Sequence, residues 1–187
     1  QLDILKGIEF GEPHLYPHRF AQLAEKSFDV IIGSVHRIGD HLVGKKEAVT
    51  HLTRKEIYSK YYSEVLKAVK FGGFDVLAHL DLPKRYFPPR ISDLSIIEEI
   101  LEAMVKSGIV LEVNTSPLRR GGTESCPDRE LLSRYIKKGG KRITLGSDAH
   151  SGKTIGEDFM YVQRQLLTGR EVQVGVFRNR HFIDLPV

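Results

Sequence analysis

Five places in the chain join an apolar run to polar side chains that can bind a metal or move a proton. Glu9 stands in GIEFGEPH and His36 in IIGSVHRIGDH. His79 and Asp81 stand in VLAHLDLPKRY, Glu112, Asn114 and Arg119 in LEVNTSPLRRGG, and Asp148 and His150 in LGSDAHS. Imidazole and carboxylate donors suit borderline divalent ions such as zinc, manganese or iron, and the single cysteine, Cys126, offers no thiolate set to compete with them. Asp148 and His150 lie two residues apart, so an extended backbone would aim both the same way. One histidine beside a strand is usually a hydrogen-bonded structural residue. Five such positions in register are harder to read as structure alone.

The last stretch, RITLGSDAHSGKT, also raises a phosphate-loop reading. A Walker loop has four residues between its first glycine and the Gly-Lys-[Ser/Thr]. Here five separate Gly146 from Gly152, and Asp148 among them would repel an anion from a nest of backbone N–H groups. The count and the charge both favour a metal site. His14, His18 and His41 lie in the loops beyond the first two runs and are secondary candidates, while His51 and His181 read as surface or tail residues. Asp81 either orients His79 or makes an ordinary hydrogen bond, and Glu112 reads equally as a paired core carboxylate or as a site residue.

These residues need elements to position them. Short, nearly continuous apolar runs at 4–10, 30–35, 76–80, 109–113 and 142–145 suit parallel strands buried on both faces. Between them, 54–71 carries Ile57, Tyr61, Val65 and Val69 on one helical stripe. A helix over 95–107 opens with a capping-box pattern, Ser95-x-x-Glu98, and stops at Gly108. Further helices are predicted over 128–138 and 155–167. Two apolar runs at 172–177 and 182–185 predict a hairpin or a closing strand. Alternating strands and helices with tight loops, and no repeat or linker, predict one α/β domain over 1–187. Local pattern leaves an open doubly wound sheet and a β/α barrel both standing, and polar residues at successive strand ends are what a barrel requires.

Composition excludes several other classes. The 187 residues are 41% hydrophobic and 28% charged, ordinary for a packed domain. A formal charge of +4 favours anionic ligands, but the pairs Lys45-Lys46, Lys84-Arg85, Arg119-Arg120 and Lys137-Lys138 are dispersed, so nucleic acid is not the expected partner. No apolar run reaches the roughly 18 residues of a membrane helix, and no signal-peptide pattern is present. One cysteine allows no intrachain disulfide, which suits the cytoplasm. Oligomeric state is left open.

Taken in order, GIEFGEPH, GSVHRIGD, DVLAHLDLPKRY, LEVNTSPLRRG and TLGSDAHS resemble the polymerase-and-histidinol-phosphatase (PHP) superfamily, most closely its histidinol-phosphatase branch. The resemblance runs from Gly7 to the tail. It implies a distorted (β/α)7 TIM-like barrel with two or three divalent metal ions (zinc, manganese or iron). It also implies metal-dependent hydrolysis of a small-molecule phosphomonoester, L-histidinol phosphate in histidine biosynthesis. Carried over by position, Glu9 would bridge two metals, with His36, His79, Asp148 and His150 as further ligands. Glu9, Asp148 and His150 would then be the catalytic set. Arg85 and Arg119 would hold the phosphate, for which the planar guanidinium fork is suited. The superfamily opens on a strand bearing His-x-His, and that pattern is absent here. The expectation is therefore a chain that begins at Gln1 without the first one or two β/α units, with an incomplete centre and an open barrel edge. Loss of part of the site is the other explanation. Rival readings are a PHP phosphoesterase for nucleotides or nucleic-acid ends, and a non-catalytic PHP module.

Overall fold

In the structure, a computed structural model describing residues 3–45, 49–89 and 94–185, the apolar runs become strands of one sheet. Gln1 and Lys46 lie outside the described residues. The elements run β1 (Gly7–Gly11), α1 (Pro17–Ala24), β2 (Val30–Ser34), β3 (Arg37–Ile38), β4 (His41–Leu42), α2 (Arg54–Phe71) and β5 (Val76–Leu77). They continue as α3 (Leu94–Ser107), β6 (Val110–Asn114), α4 (Arg129–Lys137), β7 (Arg142–Gly146), α5 (Phe159–Val162), β8 (Gln173–Arg178) and β9 (His181–Asp184).

Strand order separates the two architectures that local pattern leaves open. Among the described residues the sheet runs β1-β2-β5-β6-β7-β8-β9, and β3 with β4 forms a small separate ribbon. Each parallel strand is added to the edge made by the one before it. A doubly wound sheet reverses direction at a switch point, whereas a barrel keeps walking one way. The curl follows from side-chain contacts. Val30, Ile32, Val76 and Val110 meet Phe177 and Phe182 in a single inner cluster. Ile31, Leu77, Leu111 and Ile143, on the opposite face, pack beneath α2, α3 and α4 in the main core.

The tail forms a hairpin. Asn179 and Arg180 have φ of 50° and 65°, as a two-residue turn of type I′ requires. This turn reaches across the amino ends of the early strands. Asn179 N–H donates to Asp29, Arg180 Nε lies 2.5 Å from Asp75 Oδ2, and Arg178 pairs with Asp3. The hairpin thus closes the bottom of the curled sheet and leaves the carboxyl ends of the strands open.

Helix α2 follows its predicted bounds and carries a true capping box, with Thr53 at the N-cap and Glu56 at N3. Helix α3 begins at Leu94, one residue before the predicted start, and Glu98 pairs with Arg134 and Lys138 at the α4 end. The continuous helix predicted over 155–167 is broken. Gly156 and Asp158 take φ of 68° and 64°, so a 3₁₀ turn (Gly152–Thr154) precedes a short α5 that runs into a π turn at Gln163–Leu167. The run at 76–80 is buried throughout, but its strand ends at Leu77, because the chain turns at His79 with φ of 29°. Helix α1 and the β3–β4 ribbon are short features that no apolar run announces.

Candidate metal centre

Three of the predicted residues come together at the open end of the sheet. Glu9 projects from β1, and His36 and His79 stand two residues beyond the ends of β2 and β5. Glu9 Oε1 lies 3.5 Å from His36 Nε2 and 3.3 Å from His79 Nε2, and the two rings meet edge to face with centroids 4.9 Å apart. One donor atom from each residue lies within 4.8 Å of the others. His79 is buried, while the side chains of Glu9 and His36 are each 38% exposed, so the cluster faces an opening.

The electrostatics prepare this set for a cation. Burial pushes the Glu9 carboxyl up, but the hydrogen bond and charge of His79, the Ser34 hydroxyl and the charge of His36 outweigh it and hold the group at about 2. Burial and the neighbouring His79 lower the pKa of His36, an effect that Glu9, Glu12 and Asp148 only partly offset. Burial also acts to lower His79, yet Glu9 and Glu112 outweigh it and the pKa rises. Near neutrality Glu9 is ionised, and the lowered pKa of His36 favours its neutral form, the one that can coordinate a cation.

The last strand delivers Asp148 differently. Its φ of 49° departs from the extended backbone that would aim Asp148 and His150 together. Arg119 holds this turn, donating from Nη1 to Ser147 O at 2.5 Å and from Nη2 to Asp148 O at 2.8 Å. The Asp148 carboxylate points toward Arg85, with Nη1 3.5 Å away, and the Ser116 hydroxyl stands 3.4 Å from it. The His150 ring is 85% exposed, with Nδ1 3.0 Å from Asp148 O, so the structure does not bring it to the cluster. Arg119 spends its two terminal nitrogens on backbone carbonyls, whereas Arg85 donates to Ser116 Oγ at 2.6 Å and keeps a buried Nε without a hydrogen-bond partner. Arg85 also lines a cavity of about 290 Å³ that it shares with Lys84, Arg120, Glu124 and Cys126.

A polar chain ties the two halves together. Glu112 Oε2 accepts from His79 N at 2.9 Å and from Asn114 Nδ2 at 3.1 Å. Asn114 Oδ1 accepts from the Ser116 hydroxyl at 2.7 Å, and Ser116 leads on to Arg85 and Asp148. The two readings of Glu112 therefore merge, since it is a buried carboxylate whose partner is the backbone of His79. Asp81 does not orient His79. It accepts from Cys126 Sγ at 2.6 Å and lies 3.8 Å from Lys84 Nζ, which is also held by Glu124 and Asp128. His14 is drawn away to Glu64 of α2, 2.8 Å distant. Residues that the sequence argument passes over are Glu12, Ser34 and Ser116. Glu12 sits three positions after Glu9 and just beyond the end of β1, a carboxylate whose closeness in sequence is itself a readable signal.

A one-way β/α sheet with carboxylate and imidazole donors converging at its carboxyl edge defines a β/α protein with a candidate metal centre. The PHP domain profile matches residues 1–116 of the chain, and the chain belongs to the PHP family. A probable histidinol-phosphatase from Deinococcus radiodurans is 30% identical over 96% of this chain and 70% of its own. One from Thermotoga maritima is 34% identical over 74% of this chain. The chain spans 64% and 55% of the lengths of its Clostridium acetobutylicum and Thermotoga maritima relatives. Among solved structures, histidinol phosphate phosphatase from Lactococcus lactis, complexed with zinc, L-histidinol and phosphate, superposes with a TM-score of 0.76 at 26% identity. That match covers 98% of this chain and 73% of the other. No helix among the described residues is long and apolar enough to cross a membrane.

Proposed function

We propose that the chain is a metal-dependent phosphomonoester hydrolase whose substrate is L-histidinol phosphate. The observation that carries the proposal is the convergence of Glu9, His36 and His79, donors within 4.8 Å of one another, at the open end of a β/α sheet. The donor set fits a divalent ion in type, because Glu9 is held ionised and the Nε2 atoms of both imidazoles lie within 3.5 Å of its Oε1. Zinc is the ion we favour, and it is the ion in the Lactococcus lactis complex. Asp148, whose charge acts on His36, is the further ligand we assign, and a second or third ion would draw on it and would require His150 to swing in from its exposed position. When bound, such ions supply an activated water and charge neutralisation for phosphoryl chemistry.

The protein's own groups do the rest. Arg85, with one nitrogen toward Asp148 and an unpartnered Nε, is placed to hold phosphate oxygens as their charge changes. Arg119 fixes the Ser147–Asp148 turn and so fixes the reach of the Asp148 carboxylate. The cavity beside Arg85 is the space we assign to the organic part of the ester. We place this activity in the cytoplasm.

The test is release of inorganic phosphate from L-histidinol phosphate with zinc, manganese or iron added, and again after chelation. The expected result is turnover that chelation abolishes and that exceeds turnover of nucleoside monophosphates. A metal-loaded chain that releases no phosphate, or release indifferent to chelation, would overturn the reading.

A further inference from the structure

The strands end too early for the two histidines. β2 stops at Ser34 and β5 at Leu77, so the N–H groups of His36 and His79 fall outside the sheet ladder. A buried N–H group must find a partner elsewhere. Each finds a carboxylate from a different element. His36 N donates to Glu12 Oε1 at 2.5 Å, and His79 N donates to Glu112 Oε2 at 2.9 Å. Both residues are buried, each only 7% exposed. Neither is part of the Glu9–His36–His79 donor cluster.

We propose that Glu12 and Glu112 are a matched pair of positioning residues, each gripping the backbone of one candidate ligand histidine and setting where its imidazole reaches. The proposal rests on the metal reading of Glu9, His36 and His79. The grip is needed because the local backbone is not one that a strand would hold. Glu12 and His79 both take positive φ, 51° and 29°, which residues with a Cβ seldom adopt unless surrounding contacts impose it. At His79 the peptide is held on both sides. Glu112 takes its N–H, while its carbonyl accepts from Leu82 N at 3.0 Å and from the buried Tyr61 hydroxyl at 3.4 Å. At His36 the Glu12 carboxylate also stands 4.0 Å from Nδ1, and the Ser34 hydroxyl lies 3.4 Å from the same nitrogen, so Nε2 is the atom turned toward Glu9. Groups outside a metal's direct ligands that orient the ligating histidines commonly change affinity as much as a lost contact would.

The test is zinc affinity of the 187-residue chain, measured by competition with a chromophoric chelator. Far-UV circular dichroism reports the fold of each variant. Glu112→Ala and Glu12→Gly delete the two carboxylates, and glycine at position 12 accepts the positive φ without penalty, so a folded deletion is available even if Glu112→Ala unfolds. Each should weaken zinc by about tenfold to a hundredfold. Glu112→Gln and Glu12→Gln keep an acceptor oxygen in place and should restore affinity to near that of the unaltered chain. If the Gln variants lose zinc as completely as the deletions do, the carboxylate charge acts on the ion directly and the positioning role is overturned. If zinc binds tightly and is indifferent to both deletions, the proposal falls alone. If the unaltered chain binds no zinc, the proposal falls together with the metal reading.

Discussion

Gly146→Ala is the substitution that most sharply probes how the sheet is fitted to the site. Gly146 ends β7 and pairs with Asn114 on β6. A Cβ there would lie 1.8 Å from Glu112 Oε1 and 2.7 Å from its Cδ. The carboxylate would have to retreat by roughly 1 Å or more, and overpacking of that kind costs about 1–3 kcal/mol. It cannot retreat freely, since Oε2 is committed to His79 N and Asn114 Nδ2. Leaving those buried donors short of an acceptor adds about 1–3 kcal/mol. The expected loss is therefore roughly 2–6 kcal/mol, a large part of a typical 5–15 kcal/mol. For a chain of this size it corresponds to a fall in Tm on the order of 10 °C. Urea unfolding of the single variants and of Gly146→Ala/Glu112→Ala measures it. Removing the carboxylate relieves the clash, so the double variant should be more stable than the sum of the singles by at least about 1 kcal/mol. Strict additivity, or a Gly146→Ala cost below about 1 kcal/mol, would refute the close-approach argument.

Other outcomes follow from the same geometry. Zinc must displace the proton that Glu9 and Glu112 hold on His79 against the effect of burial, so zinc affinity should rise as pH climbs above the ordinary imidazole value of about 6.5. A flat profile in isothermal titration would contradict it. In the metal-free chain the sign is opposite. The raised His79 pKa contributes stability that is complete below about pH 6.5 and is lost as pH climbs through the folded value. Lys84→Met should destabilise the chain by about 3–5 kcal/mol, because it removes the cation that the buried Asp81 and Asp128 carboxylates share, and a loss of less than about 1 kcal/mol in urea unfolding would show the cage to be dispensable. Arg119→Lys loses the two-pronged grip on Ser147 and Asp148, and should lower kcat by up to about a hundredfold through a misplaced carboxylate. A rise in KM alone would mean that Arg119 reaches the phosphate after all.

Much of the fold is legible from buried apolar runs, because a parallel strand covered on both faces leaves no alternation to misread. Helix α2 is equally plain from the Ile57, Tyr61, Val65 and Val69 stripe, all four of which the structure buries. The misreadings lie where side chains override local pattern. Ser95 and Glu98 match a capping box, but the helix begins a residue earlier, at Leu94, and Glu98 also pairs with Arg134 and Lys138 on the neighbouring helix. The run through Leu80 looks like strand, yet the chain bends at His79, where Glu112 and Tyr61 hold the peptide. The convergence of Glu9, His36 and His79 could be anticipated because Glu9 lies in the first strand and each histidine follows the end of another. The outward turn of His150 could not, because it follows an Asp148 with φ of 49° that no residue spacing announces. Likewise the acceptors Glu12 and Glu112 serve backbone N–H groups, which leave no trace in residue spacing.

The most direct test of the account is zinc bound per chain, by elemental analysis, on the unaltered protein and on Glu9→Ala, His36→Ala and His79→Ala. The account predicts at least one zinc per unaltered chain and loss of that ion from all three folded variants. A chain that carries no zinc, or three variants that retain it, would contradict the assignment of the metal centre to Glu9, His36 and His79.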